Sequence, residues 1–352
     1  MKTIKNFAML LAAAAFITVG IASCNKKPVI EAPADLTELN TALVEAQKLY
    51  DNATSASYKA EAITDYKATV DAIKRAIAGG VSQSTANNLL AQLKAAIETL
   101  NSNALAPIPA SAITFALNFN KGVGESLTTA GTNTWKATLE KGPAEVFGND
   151  TSIPTFVDGK VGKAMHFENG SHLKIEKFAA KALEGSKLSI AVWVNPDKAF
   201  ANNYIISYNT WNTWKFQIQD GGKPFFTVAT DKGITDMDNE HDNSAPAKTW
   251  THIVVTFDGT SGNVEFFING ELTKTWTVSE RPNLAGSIKS PESEIPLLIG
   301  AGQTIETALK WEWDSWKTPE GWSNFYGSLD ELKVYNIALT AGQVSKIYND
   351  EK

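Results

Sequence analysis

All ten tryptophans of the chain lie at or after Trp135, while residues 35–104 hold only Tyr50, Tyr58 and Tyr66 as aromatics. The apolar period changes at the same boundary. Before it, apolar side chains recur at helical spacing in three stripes: Leu36, Leu39, Leu43, Ala46 and Tyr50; Ala62, Tyr66, Val70, Ile73 and Ile77; and Leu89, Leu93, Ile97 and Leu100. After it, Ile113, Phe115, Leu117 and Phe119 alternate with small or polar residues, the period of a half-buried strand. One chain cannot satisfy both periods in one layer, so the sequence predicts a multidomain α plus all-β protein. A three-helix bundle (35–104) is followed by an antiparallel β-sandwich (112–352), across a linker at 105–111 that carries Pro107 and Pro109.

Within the first part, Gly79-Gly80 is expected to stop the second helix and Ser82 or Ser84 to cap the third. Each helix has a single apolar face, so the three faces can be buried only against one another. In the second part, alternation or short apolar runs predict strands at His172–Lys177, Leu188–Asn195, Trp214–Gln219, Phe225–Thr230, Trp250–Phe257, Val264–Asn269, Glu271–Thr277, Pro296–Gly300 and Ser328–Asn336. Asn269-Gly270 marks a type I′ hairpin, and Thr340 is placed to cap a short terminal helix.

The N-terminus carries Lys2 and Lys5, then an apolar run from Phe7 to Val19, then Ile21-Ala22-Ser23-Cys24. This is a secretory-signal pattern, and the run is shorter than the ~20 residues that span a bilayer. The last four residues resemble a bacterial lipobox, which implies cleavage after residue 23, acylation of Cys24 and a short linker at 24–34. The expected location is extracytoplasmic, on a membrane reached through acyl chains, with the outer membrane as the expected site and its face open. Cys24 is the single cysteine, so no disulfide, thiolate metal site or cysteine nucleophile is expected. A net charge of −6 without basic runs argues against nucleic acid as a partner.

Leu43-Val44-Glu45-Ala46 and Leu93-Lys94-Ala95-Ala96-Ile97-Glu98-Thr99-Leu100 resemble the FIVAR-type helical modules of bacterial surface proteins. The resemblance implies a spacer or weak adhesion unit. In the second part, Asp158-Gly-Lys-Val-Gly-Lys-Ala-Met-His-Phe-Glu-Asn-Gly170, Leu188-Ser-Ile-Ala-Val-Trp-Val194, Trp250 to Gly259, Val264 to Gly270, Leu298-Ile-Gly300 and Phe325 to Tyr335 are similar, in order, to the laminin-G-like, concanavalin A-type domain. That resemblance implies a jelly-roll sandwich, a fold shared by lectins, adhesion modules and glycosidases. It also implies a calcium position at Asp330, with Asn118 or Asn120 as neighbours.

Sandwich glycosidases need a Glu-x-Asp-x-x-Glu pattern on one strand. Here the nearest approach is Glu312-Trp313-Asp314-Ser315-Trp316-Lys317, with a lysine in place of the second glutamate. His252 is expected to pack in the core, and His166 and His172 lack metal-ligand spacing. No Ser-His-Asp logic is legible. Trp193 and Trp250 are expected to pack, whereas Trp311, Trp313, Trp316 and Trp322 crowd a long insertion, and Trp211 and Trp214 flank Asn212 at a loop–strand junction. Indole planes beside Asn212 and Asp314 complement the apolar faces and polar rims of sugars. A second metal candidate is the acidic run containing Asp236, Asp238 and Glu240, whose oxygens suit calcium although no EF-hand glycine is present.

The leading expectation is a non-catalytic, membrane-anchored lipoprotein that binds polysaccharide or host glycan, with the bundle as spacer and other envelope proteins as further partners. A protein-adhesion or structural envelope component is the second, and a glycoside hydrolase of another type the third.

Overall fold

The structure, a computed structural model, describes residues 33–53, 58–103, 107–121, 126–132, 134–178, 185–208, 210–291 and 294–352. The signal segment and Cys24 lie outside the described residues.

Three helices form the first part: α1 (Thr37–Asn52), α2 (Ala60–Ala78) and α3 (Gln83–Ser102). Their core is made by Leu39, Ala46, Tyr66, Val70, Ile73, Leu93 and Leu100, one set from each expected stripe. Tyr66 is buried among them, and its hydroxyl donates to the Ala46 carbonyl at 2.9 Å, so the one polar group in that core is satisfied. Gly79 caps α2, Gly80 turns the chain at φ +79°, and the Ser82 hydroxyl accepts from the Thr85 amide at the start of α3. The three-helix bundle is as expected.

In the second part the named strands pair antiparallel throughout, and one isolated bridge, Asn203 with Asn324, is parallel. Its strands are β1 (Ile113–Leu117), β2 (Ser126–Thr128), β3 (Lys136–Glu140), β4 (Thr155–Asp158), β5 (Lys163–Phe167), β6 (His172–Ile175), β7 (Lys187–Pro196), β8 (Asn203–Tyr208), β9 (Trp214–Gln219), β10 (Lys223–Thr230), β11 (Gly233–Asp238), β12 (Thr251–Asp258), β13 (Asn263–Ile268), β14 (Glu271–Trp276), β15 (Leu297–Ile299) and β16 (Gly327–Tyr335). The first sheet runs β14-β13-β12-β7-β16-β5-β4, with β1 also on β16; the second runs β11-β10-β9-β8-β15-β6-β3-β2. Strands distant in sequence are neighbours, β7 beside β16 and β15 between β8 and β6, which is jelly-roll connectivity.

Inward-facing Phe115, Phe167, Val192, Trp214, Phe216, Phe226, Phe257, Phe266 and Phe325 fill the space between the sheets. Asn269 and Gly270 both take positive φ (51° and 83°) and join β13 to β14 in the expected two-residue turn. Helix α6 (Ala341–Glu351) begins in a capping box, Thr340 with Gln343, and lays Val344 and Ile347 on Ala191, Val254 and Phe267. That cover explains why β7 and β12 read as continuous apolar runs, since both faces of the first sheet are buried there.

Part of the acidic run lies in a strand. Asp236 and Asp238 belong to β11, whose Thr, Asp and Met residues pair with β10 over Phe225–Thr230. The bundle core and the sandwich core share no residue. Limited proteolysis is therefore expected to cut within 103–111 and leave two folded fragments; resistance there with one cooperative unfolding transition would count against separate domains.

Candidate functional site

The insertion expected between the Leu298-Ile-Gly300 strand and the Phe325-Tyr-Gly strand is pinned at its base. Gly302 donates its amide to the Ser323 carbonyl (2.9 Å), Phe325 to the Gly300 carbonyl (2.9 Å), and Asn202 Nδ2 to the Gly321 carbonyl (3.1 Å). Inside it, Thr304 caps a short helix, α5 (Ile305–Leu309), and Asp314–Lys317 form a single 3₁₀ turn. Trp322 is 2% exposed and anchors the segment, packing edge-on at 6.4 Å to Phe147 of the one-turn helix α4 (Ala144–Phe147) and against Ala308. Trp214, 0% exposed, lies in the main core beside Tyr208. These two expected stacking residues are therefore structural: alternation with Phe216 and Ile218 turns Trp214 inward, and closure of the insertion demands an apolar anchor at Trp322. Trp250, expected to pack, is only half-buried because it precedes β12. Trp193 is buried as expected, on the outer side of the first sheet. Its indole stacks on Tyr348 at 5.7 Å and donates to Glu351 Oε2 at 2.9 Å.

The other four candidate indoles, Trp211, Trp311, Trp313 and Trp316, meet. Trp211 lies 5.9 Å from both Trp311 and Trp316, Trp311 is 5.2 Å from Trp316, and Trp313 is 6.5 and 6.1 Å from Trp311 and Trp316. Two loops distant in sequence thus build one aromatic cluster, and Trp313 is 60% exposed. The rings are not coplanar. Interplanar angles run from 31° for Trp211–Trp311 to 72° for Trp311–Trp316, so the surface is faceted. Trp211, Trp311 and Trp313 line a groove of about 430 Å³ with Asn212, Gln303, Thr307, Lys310 and Glu312. Asp314 is not part of that lining; its exposed carboxylate pairs with Lys317 at 3.2 Å.

Beneath Trp211 lies a residue that sequence reasoning missed. Lys215 on β9 is 2% exposed and has no ion pair among the described residues. Its ammonium donates to Gln217 Oε1 and sits 4.4 Å from the Phe225 ring, 5.2 Å from Tyr204 and 6.0 Å from Trp211. Asp236, which favours the charged form, is turned to the Thr227 hydroxyl, and burial pulls the lysine down to about 8. A lysine whose folded pKa lies below its unfolded value opposes folding while charged, and the cost is relieved as pH rises from about 8 towards 10.5. Lys215→Met is therefore expected to raise stability at pH 7 by about 1–3 kcal/mol, with a smaller gain at pH 9, as read by denaturant melts.

The metal candidates separate. Asp238 pairs with Lys223 (3.6 Å) and accepts from Gln219, and Glu240 pairs with Lys274 (2.6 Å), so these two carboxylates spend their charge on lysines, while Asp236 accepts from the Thr227 hydroxyl. Among the described residues, no group of three or more His, Cys, Asp or Glu converges. Asp330 is fully buried; Oδ1 accepts from the Glu331 amide (2.8 Å) and Oδ2 from the Val161 amide (2.9 Å), and burial pushes the carboxyl up to about 7. Asn120 reaches the same loop, its Oδ1 accepting from the Lys163 amide (2.8 Å) where Gly162 at φ +71° leaves no room for a Cβ. Asn118, by contrast, is exposed and turns to the Asn120 amide.

No Ser-His-Asp arrangement was legible, yet the Ser328 hydroxyl lies 3.1 Å from His166 Nδ1, with Asp197 3.5 Å from Nε2. Ser328 and His166 sit on the first sheet and Asp197 follows β7, and none of the three lines the groove beside the tryptophans. Glu312, the first residue of the approximate glycosidase pattern, stands in the insertion between α5 and the 3₁₀ turn rather than on a strand.

The concanavalin A-like lectin/glucanases superfamily matches residues 167–345, just over half of the chain. The chain belongs to that superfamily. No curated protein sequence matches it. Among solved structures it is similar to domain 4 of AbnA, an extracellular GH43 arabinanase of Geobacillus stearothermophilus in complex with arabinotriose (18% identity, TM-score 0.48, covering 67% of this chain and 98% of that one). It is also similar to the binding domain of Paraclostridial Mosquitocidal Protein 1 (18%, 0.46, covering 68% and 52%) and to the binding domain of botulinum neurotoxin DC in complex with SialylT (14%, 0.47, covering 69% and 52%). The chain thus spans about half the length of the two toxin structures. These likenesses concern the fold of this superfamily member; its chemistry has to be argued from its own side chains.

Proposed function

We propose that this protein is a non-catalytic carbohydrate-binding lipoprotein, held to a membrane through Cys24, with the helical bundle as spacer and the sandwich as the binding domain. The observation that supports it most is the surface cluster of Trp211, Trp311, Trp313 and Trp316. Tryptophans that only held the insertion down would be covered, as Trp322 is. Trp313 instead presents most of its ring to solvent beside Asn212, Gln303 and Glu312. Apolar ring faces next to amide and carboxylate groups fit the C–H faces and hydroxyl rims of a sugar.

The same interleaving of Lys310, Glu312 and Asp314 breaks up any continuous apolar patch, which favours glycan over a protein-adhesion surface. Membership of the superfamily is compatible with glycan binding and with hydrolysis, and the tryptophan cluster lacks a strand-borne pair of carboxylates. Calcium at Asp330 is a separate expectation of the family resemblance, and the proposed site does not depend on it.

A glycan array probed with the purified protein tests the reading. Retention by one or more polysaccharides supports it, and absence of binding across neutral and acidic glycans overturns it.

A further inference from the structure

The groove beside the tryptophans does not end with them. A second groove of about 420 Å³ lies on the same outer face of the second sheet, lined by Glu140, His172, Lys174, Glu176, Ser207 and Leu298 among others. Gln303 and Thr307 line both, so the two are subsites of one trough. Each alone has the volume of a small-ligand pocket, about 300–1,000 Å³.

The floor of the second groove is the sheet itself. Lys174 pairs in register with Leu298, Leu298 with Ser207 and Ser207 with Lys215, which sets these residues in one row across β6, β15, β8 and β9. Their chain neighbours Leu173, Ile175, Leu297 and Ile299 point into the core, so the row faces outward. Gln303 stands at the junction and donates its amide to Thr210 Oγ1, which in turn donates to the Gly302 carbonyl at 2.7 Å. This bracing leaves the Gln303 carbonyl oxygen as the acceptor common to both halves.

The charges on the walls narrow the ligand. Lys174 is spent between Glu140 (3.6 Å) and Glu176 (2.7 Å), and Lys310 is spent on Glu306 (2.6 Å). His172 lies between two acceptors, the Gly170 carbonyl at Nδ1 (3.0 Å) and Glu140 at Nε2 (3.4 Å). Glu312, at the aromatic end, has no ion pair among the described residues. Carboxylates therefore outnumber lysines on the walls, each wall lysine is already paired, and the unpaired Lys215 is buried beneath Trp211. An anionic chain would meet repulsion without gaining a free cation at the surface.

Resting on the carbohydrate reading, we propose that the trough binds a linear, uncharged oligosaccharide long enough to cross from the tryptophan cluster to the Glu140–Lys174 end. Ring stacking at Trp311 and Trp313 holds one part of the chain. Hydrogen bonds of its hydroxyl groups with Gln303, Ser207 and Glu140, and from the Lys174 ammonium to those hydroxyls, hold the other.

Isothermal titration of the intact protein separates this from the broader reading. The probes are laminarin, arabinan, xylan and mannan oligosaccharides, from monosaccharide to hexasaccharide, with oligogalacturonides and heparin fragments as acidic counterparts. Affinity for at least one neutral series should rise with length, by about tenfold or more between its shortest and longest members, and acidic chains should bind more weakly. Gln303→Ala and Lys174→Ala should lower affinity for the long chains while leaving that for the short ones unchanged, and Glu176→Gln with Glu306→Gln should narrow the gap to acidic chains. Circular dichroism confirms that each variant is folded, and Lys174→Ala, at a partly exposed strand position, carries the test should Gln303→Ala disturb the insertion. Length-independent affinity, tighter binding of acidic chains, or full affinity for long chains in folded Lys174→Ala overturns the proposal while leaving glycan binding intact. No binding to any probe overturns the carbohydrate reading as well.

Discussion

Replacing Trp313 by alanine is expected to weaken glycan binding by about 1–3 kcal/mol, the magnitude of ring stacking on planar ligands, with almost no change in melting. The side chain is mostly exposed and contributes little to the core, so its loss removes contact area at the surface without opening a cavity. Trp214→Ala is expected to do the reverse. That indole is fully buried between the two sheets, and truncating it should cost about 3–5 kcal/mol in stability, through lost burial and an unfilled cavity. Trp322→Ala is expected to follow Trp214 in kind, loosening the insertion from Phe147 and Ala308. Paired urea melts and titrations read both effects. Strong destabilisation by Trp313→Ala with unchanged affinity of the folded fraction would sink the division between binding and packing tryptophans.

Acidification is expected to unfold the sandwich through His252. This side chain is 1% exposed on β12, between Trp193 (5.2 Å) and Tyr348 (6.0 Å), and neither ring nitrogen has a hydrogen-bond partner among the described residues. Burial, aided by the positive charge of Lys333, holds its pKa down at about 3, against 6.5 for a free imidazole. With the folded pKa below the unfolded one, the unfolded chain binds the extra proton between pH 6.5 and pH 3, so stability is present above about pH 6.5 and is lost as pH falls. The loss from this group is about 2 kcal/mol at pH 5 and grows towards pH 3. His252→Leu should flatten the slope of stability against pH between 7 and 5. A slope unchanged by that substitution would show that other groups carry the acid sensitivity.

The change of period from the helical stripes to Ile113–Phe119 carried the division of the chain, because amphipathic spacing is enforced by the core that each element must cover. Strands buried on at least one face, such as Leu188–Asn195 and Trp250–Phe257, were legible for the same reason. β11 was not, since Thr235, Asp236 and Asp238 offer no apolar alternation beyond Met237 and Ile234. Tryptophan in the insertion was ambiguous by residue type alone. The signal that separates Trp214 was present in its spacing with Phe216 and Ile218, whereas nothing local distinguishes Trp322 from Trp316. The angles between the indoles depend on two loops meeting in space and leave no trace in either segment. The polar end of the trough was hidden because β3 was unrecognised. His172, Lys174 and Glu176 alternate with Leu173 and Ile175, and only the neighbouring Glu140 shows that this outward row lines a groove. Lys215 was equally silent, as a lysine in a strand is ordinarily at the surface.

The most direct measurement of the central claim is affinity electrophoresis of the intact protein and its Trp311→Ala/Trp313→Ala variant through gels containing the polysaccharide retained best on the array. Binding through the tryptophan cluster predicts that the wild-type protein is retarded and that the doubly substituted protein, folded by circular dichroism, migrates as in a gel without polysaccharide. Equal retardation of the two would contradict it.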